Sequence, residues 1–167
     1  MLDIVDIVVM ASSLPNSKIL VVDDNPVILK VLSLALEPRG YQVLTAIDGP
    51  EAFNIVNLHD LDLILLDIFF PPDATMTGNT WDAFQIMHWL QRMGGPNAHN
   101  IPVVVMSGAD PEEFKDRCLA AGAVDYIHKP ITIPDLLEII QRIFHTQVSG
   151  DVPPERPAAP NSERLHS

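Results

Sequence analysis

Residues 18–26 read KILVVDDNP. Four consecutive apolar residues, Ile19, Leu20, Val21 and Val22, run straight into a pair of carboxylates, Asp23 and Asp24. Asn25-Pro26 then has the form of a helix start, with proline in the first turn. A short strand with no polar alternation is covered on both faces, and such strands belong to parallel sheets flanked by crossover helices. The stretch therefore predicts a strand, an acidic turn at its C-terminal end, and a helix.

The same unit recurs along the chain. In the first helix Ile28, Val31, Leu32 and Ala35 share one face at i, i+3, i+4 and i+7, and Arg39-Gly40 closes it. Tyr41–Ala46 reads as a second strand, and Gly49-Pro50 opens a helix through about Asn57. Leu61–Leu66 is a third strand ending in Asp67. Trp81–Arg92 is helical, with Ala83, Met87 and Leu90 on one side. Pro102–Met106 is a fourth strand ending in Ser107-Gly108, and Pro111–Ala120 a helix that Gly122 stops. Val124–His128 is a fifth strand ending in Lys129-Pro130, and Asp135–Gln147 the last helix, with Leu136, Ile140, Ile143 and Phe144 inward. Five β-α units predict an α/β fold: a five-stranded parallel sheet in the flavodoxin-like order 2-1-3-4-5 with helices on both faces.

The chain has 167 residues, enough for one domain, and 47% of them are hydrophobic, enough for a core. Its net charge of −12 argues against binding nucleic acid or an anionic membrane surface. The single Cys118 excludes an internal disulfide framework and a cysteine zinc site, and it reads as a small buried hydrophobe. The six histidines lack metal-ligand spacing, and His128 reads as a packing residue on the strand face opposite Lys129. Residues 1–17 are an N-terminal extension whose apolar MLDIVDIVVM carries no basic residue, unlike a secretory signal, so a cytoplasmic location is expected. Two readings of this extension stay open: a mobile leader, or an element that docks on the domain or a partner. Residues 18–147 form the domain, and the Pro-rich residues 148–167 are expected to be a disordered tail.

The polar residues that interrupt this apolar pattern all fall at strand C-termini. Asp23 and Asp24 follow strand 1, Asp67 strand 3, Ser107 strand 4 and Lys129 strand 5. In a parallel sheet these ends share one edge, where open α/β sheets bind ligands at the switch point. Carboxylates so gathered repel each other unless a cation joins them, and hard oxygen donors select Mg²⁺. A phosphoryl group would complete the ion's ligand set, with Lys129 and Ser107 on its remaining oxygens and Asp67 as a nucleophile already deprotonated.

At ILVVDDNP (19–26), LILLDIFFP (63–71), VVVMSGAD (103–110) and GAVDYIHKP (122–130) the chain resembles the receiver domain of bacterial two-component response regulators. That resemblance covers about residues 18–147. It implies phosphorylation of Asp67 by a histidine kinase or a histidine phosphotransfer protein. It implies Mg²⁺ held by Asp24 and Asp67, with the Phe69 carbonyl as a third ligand and Asp23 acting mainly through water. It also implies phosphoryl contacts from Ser107, Gly108 and Lys129, and a cis bond before Pro130. Ser107 and Tyr126 would form the switch that alters a docking surface on helix 4, strand 5 and helix 5 for a downstream protein target.

The chain departs from the family pattern in two places. Asp67 and Ser107 are 40 residues apart, about ten more than usual, with the excess in PPDATMTGNT and GGPNAHN. Phe69 is apolar where many relatives are polar, which is expected to slow attacking water. An arginine that relatives pair with the acid before the switch tyrosine, here Asp125, aligns with Ile139, so a monomer or a weak homodimer is expected. Two other readings stand beside the receiver: a Mg²⁺-dependent phosphatase acting through an aspartyl phosphate, and an interaction module that works without phosphorylation. A phosphatase of that type carries a second Asp where Phe69 stands.

Overall fold

A computed structural model describes residues 16–67, 83–92, 98–108 and 111–148. Strands β1 (Lys18–Val22), β2 (Gln42–Ala46), β3 (Leu63–Asp67), β4 (Val103–Ser107) and β5 (Asp125–His128) alternate with helices α1 (Pro26–Leu36), α2 (Gly49–Leu58), α3 (Ala83–Arg92), α4 (Pro111–Ala120) and α5 (Ile133–Val148). The strands form one sheet, every pair parallel, in the order β2-β1-β3-β4-β5. The expected topology is the observed one.

Strand alternation splits the core in two. Leu20, Val22, Ile64, Leu66 and Val105 face α2, α3 and α4, where Ala52, Met87 and Cys118 are buried. Ile19, Val21, Leu63, Leu65 and Val104 face α1 and α5, where Leu32, Leu36, Leu136 and Ile140 are buried. Because β3 and β4 are buried along their whole length and β1 from Ile19 onward, they carry no polar residue there until Asp67, Ser107 and, just past β1, Asp23, which is why their ends are legible in sequence. Gly122 ends α4 at φ +103°, in the left-handed region that glycine reaches without strain.

Helix α1 buries a different face from the one expected. Leu29, Leu32 and Leu36 point inward, whereas Val31 is 49% exposed and Ile28 and Ala35 are half-buried. The residues VILKVLSLAL are apolar around most of the helix, so periodicity alone does not select the inner face. Ile143 is likewise half-buried, while Leu136, Ile140 and Phe144 make the inner face of α5. The Trp81–Arg92 helix is described from Ala83 onward, and α5 begins at Ile133, before the expected Asp135. The enlarged loops, apart from the 3-10 turn Ala98–Asn100, the N-terminal residues 1–15 and the tail from 149 lie outside the described residues.

The corrected face has a measurable consequence. Leu36, fully buried, should cost about 2–5 kcal/mol on truncation to alanine. Leu34, 58% exposed two residues away, should cost well under about 1 kcal/mol. Urea unfolding of Leu36→Ala and Leu34→Ala checks this; equal losses would mean that α1 is rotated on the sheet.

Candidate functional site

The acidic turn after β1 is tied down by its own backbone. The Asp23 N–H donates to the Ala46 carbonyl at 3.1 Å, and Asp23 Oδ1 accepts from the Asn25 N–H at 2.8 Å. The N-cap of α1 is Asn25, whose side chain accepts from the Val27 N–H at 2.9 Å. The acidic pair is thus not occupied in capping the helix, which removes the plainest structural reason for two carboxylates here.

Asp23 is fully buried, and its Oδ2 takes a hydrogen bond from Lys129 Nζ at 2.6 Å. Asp67, the last residue of β3, is 6% exposed, and its Oδ1 lies 3.2 Å from the same ammonium. Asp24 is exposed at the rim. One carboxylate oxygen from each of Asp23, Asp24 and Asp67 lies within 4.8 Å of the others. The sheet makes this meeting possible: β1 and β3 are neighbours in parallel register, with Val22 opposite Leu66, so both chains leave the sheet at the same level.

Lys129 arrives from the far edge strand. Its backbone N–H donates to the Ser107 carbonyl at 2.7 Å, extending the β4–β5 ladder beyond the Ser107–His128 pair. The Lys129-Pro130 bond is cis, as expected. Burial pushes the Lys129 ammonium's pKa down. The hydrogen bond to Asp23 and the charges of Asp67 and Asp23 outweigh it, so the net shift is upward and the lysine is held charged. One ammonium faces three carboxylates, which leaves an excess of negative charge in a largely buried crevice. Such a donor set of hard oxygens fits a divalent cation of the Mg²⁺ type.

Ser107, the last residue of β4, is fully buried at this edge, and Gly108 beside it is exposed with open space where a side chain would stand. Tyr126 is 7% exposed and packs with the α2–α3–α4 side of the core, more buried than a strand aromatic on an open face. The structure therefore brings together Asp23, Asp24, Asp67 and Lys129, with Ser107 at the neighbouring strand end. Phe69, expected to offer its carbonyl, lies outside the described residues.

One expectation needs correction: His128 is exposed and not a packing residue, because the core stops one residue earlier at Ile127. Two pairings were not anticipated. Asp23 lies against Lys129 as its closest carboxylate, and Asp125 pairs with Arg142 of α5 in the same chain. Residue types alone could not reveal either pairing, since both depend on how β5 and α5 sit against the sheet. Cys118 is buried, as expected.

The comparisons with known proteins agree with this geometry. A family model described as Response regulator receiver domain matches residues 19–141. Response regulator GtcR of Aneurinibacillus migulanus is 33% identical over 128 residues, covering 77% of this chain and 46% of that protein. The sensor histidine kinase RcsC of Salmonella typhimurium is 30% identical over 138 residues, covering 83% of this chain but 13% of the kinase. The chain thus spans less than half the length of these relatives. Among solved structures, the receiver domain of a Pseudomonas aeruginosa sensor histidine kinase superposes with TM-score 0.65 at 27% identity, covering 78% of this chain and 98% of that one; it carries magnesium in its active-site cleft. Chemotaxis protein CheY4 of Vibrio cholerae superposes with TM-score 0.65 at 28% identity, covering 76% and 98%. Sheet order, clustered acids and sequence match lead to one conclusion: this chain belongs to the response regulator receiver domain family.

Proposed function

We propose that the chain is a phosphorylatable switch, with Asp67 taking a phosphoryl group from a phosphohistidine on a histidine kinase or a histidine phosphotransfer protein. The observation that carries this reading is the buried meeting of Asp67 and Lys129 beside Asp23 and Asp24. An Asp67 carboxylate oxygen forms a bond to phosphorus as the phosphorus–nitrogen bond breaks, and the imidazole leaves with the electron pair and takes up a proton. No general base is needed, because the attacking carboxylate is already ionised.

Lys129 is placed to balance charge on a phosphoryl oxygen, and Ser107 with the Gly108 backbone to donate hydrogen bonds to it. Asp23, Asp24, Asp67 and the Phe69 carbonyl are the candidate holders of Mg²⁺, which would neutralise the crowded oxygens of donor and acceptor. Ser107 and Tyr126 lie on adjacent parallel strands, and Val105, two residues before Ser107, is Tyr126's register partner. A shift of Ser107 toward a phosphoryl group would change the packing around Tyr126, and with it the α4–β5–α5 face offered to a downstream protein.

Incubation with acetyl phosphate and Mg²⁺ should add one phosphoryl group, about 80 Da by intact mass. The increment should disappear in Asp67→Asn and without the metal. Labelling that survives Asp67→Asn would identify a different acceptor, and continuous release of phosphate from a chromogenic ester would favour the phosphatase.

The upward shift of Lys129 sets a second expectation. The folded state holds this proton more tightly than the unfolded chain does. The resulting stability is complete below the ordinary lysine value of about 10.4 and is lost as pH climbs through the raised one. In metal-free buffer, the stability gap between wild type and Lys129→Met should be constant from pH 8 to about 10 and narrow above that. A gap that does not change with alkaline pH would mean that the ammonium is not held by the carboxylates.

A further inference from the structure

Helix α4 is lightly anchored for its position in the fold. It begins at Pro111, close behind Ser107 and Gly108, so it stands directly downstream of the strand end that faces the crevice. Among its described side chains only Cys118 is buried; Phe114 is half-buried, and Lys115, Asp116, Arg117 and Leu119 are exposed. The neighbouring α3 buries Ala83, Ile86, Met87 and Leu90, and it is braced on its other side by Trp89, whose ring centre lies 4.3 Å from that of Phe53 on α2. Burial of apolar surface is what fixes a helix, so α3 is the fixed post and α4 the movable element beside it.

Two side chains tie α4 to that post. At its C-terminal end Gln91 of α3 reaches across and donates from Nε2 to the Ala121 carbonyl at 2.9 Å, beside Gly122 in its left-handed turn. A Cβ on Gly122 would stand 2.3 Å from that Nε2, so the turn and the amide are closely fitted. Further up the helix Arg117 holds its guanidinium over two rings, with Cζ 5.2 Å from the centre of Phe84 on α3 and 5.2 Å from that of Phe114, one turn back on α4. Arg117 makes no ion pair among the described residues, so the rings are its partners there. The Gln91 bond sits at the far end of α4, whereas Arg117 lies about 6 Å nearer the end that follows Ser107. A helix pinned at one end and braced partway along can swing only when the brace lets go.

We propose that Arg117 is a positioning residue: its stack on Phe84 and Phe114 latches α4 to α3 and thereby sets how readily Asp67 takes a phosphoryl group. In the latched form Ser107 is fully buried and Tyr126 is 7% exposed. Drawing Ser107 toward a phosphoryl group pulls on the start of α4, and the latch opposes that pull. Phosphorylation and release of the latch then favour each other, because whatever destabilises the resting form raises the population of the shifted one. Each exposed cation–π contact shifts such an equilibrium about two- to fivefold, which matters for a helix with so small a buried anchor. The effect on labelling rests on the phosphoacceptor reading of Asp67; the latch itself does not.

Hydrogen–deuterium exchange on the full chain, with no phosphoryl donor present, reads the latch. Arg117→Met keeps the length and helix propensity but loses the charge; it should speed amide exchange in α4 at least about twofold and leave α5 unchanged. Phe84→Leu should do the same, and the double variant should add little to either, as expected of partners in one contact. Phe84→Tyr, which keeps the ring face, should match wild type, and so should Lys115→Met, which removes an exposed cation from the same helix. Unchanged exchange in α4, or single effects that simply add, would overturn the latch. Acetyl phosphate with Mg²⁺ then reads its consequence: Arg117→Met should label at Asp67 about two- to fivefold faster, with Mg²⁺ affinity unaltered. Faster exchange with an unchanged labelling rate would overturn the regulatory role. Failure of the wild type to label at all would sink the phosphoacceptor reading instead, with the exchange data still deciding the latch.

Discussion

A single ammonium lodged between two buried carboxylates organises the active edge of this protein. Lys129 reaches Asp23 at 2.6 Å and Asp67 at 3.2 Å, joining the ends of β1, β3 and β5 across the crevice. The arrangement is under-neutralised, because a third carboxylate, Asp24, stands at the rim. Buried like charges are costly unless a cation relieves them. The crevice therefore carries an excess of negative charge that a divalent cation bound by these oxygens would relieve.

Everything else in the fold serves that meeting. Parallel strands bring four chain segments to one level, and the apolar layers on both sheet faces hold them there. The Asp23 turn is fixed by the Ala46 carbonyl and the Asn25 N–H, so its carboxylate is positioned before any ligand arrives. Pre-positioned charge is the cheapest route to phosphoryl transfer, where the protein contributes placement and electrostatics more than covalent chemistry. The same logic separates the two faces of α1. Its inner leucines hold the helix that follows the acidic turn against the sheet, while Val27, Val31 and Leu34 face outward.

Much of this was legible in the sequence because buried parallel strands tolerate no polar residue until they end. Asp67 and Ser107 stand out against LILL and VVVM for that reason, and the strand order followed from the β-α repeat. What stayed hidden were features that depend on rotation and reach. The inner face of α1 cannot be chosen from a helix apolar on both sides: periodicity groups Leu32 with Val31, whereas Leu32 is buried with Leu29 and Leu36. The Arg142–Asp125 pair depends on how α5 lies across β5, a tertiary fact that residue types alone do not carry. The burial of Asp23 against Lys129 likewise needs the sheet to be closed before it can be seen.

Magnesium titration by calorimetry at low ionic strength reads the unbalanced charge itself. One ion per chain should bind saturably, and binding should weaken at least about tenfold in Asp67→Asn, a magnitude typical of disturbing a metal site. No saturable uptake by the wild-type protein, or uptake that ignores the loss of the Asp67 charge, would contradict a cation site at this edge.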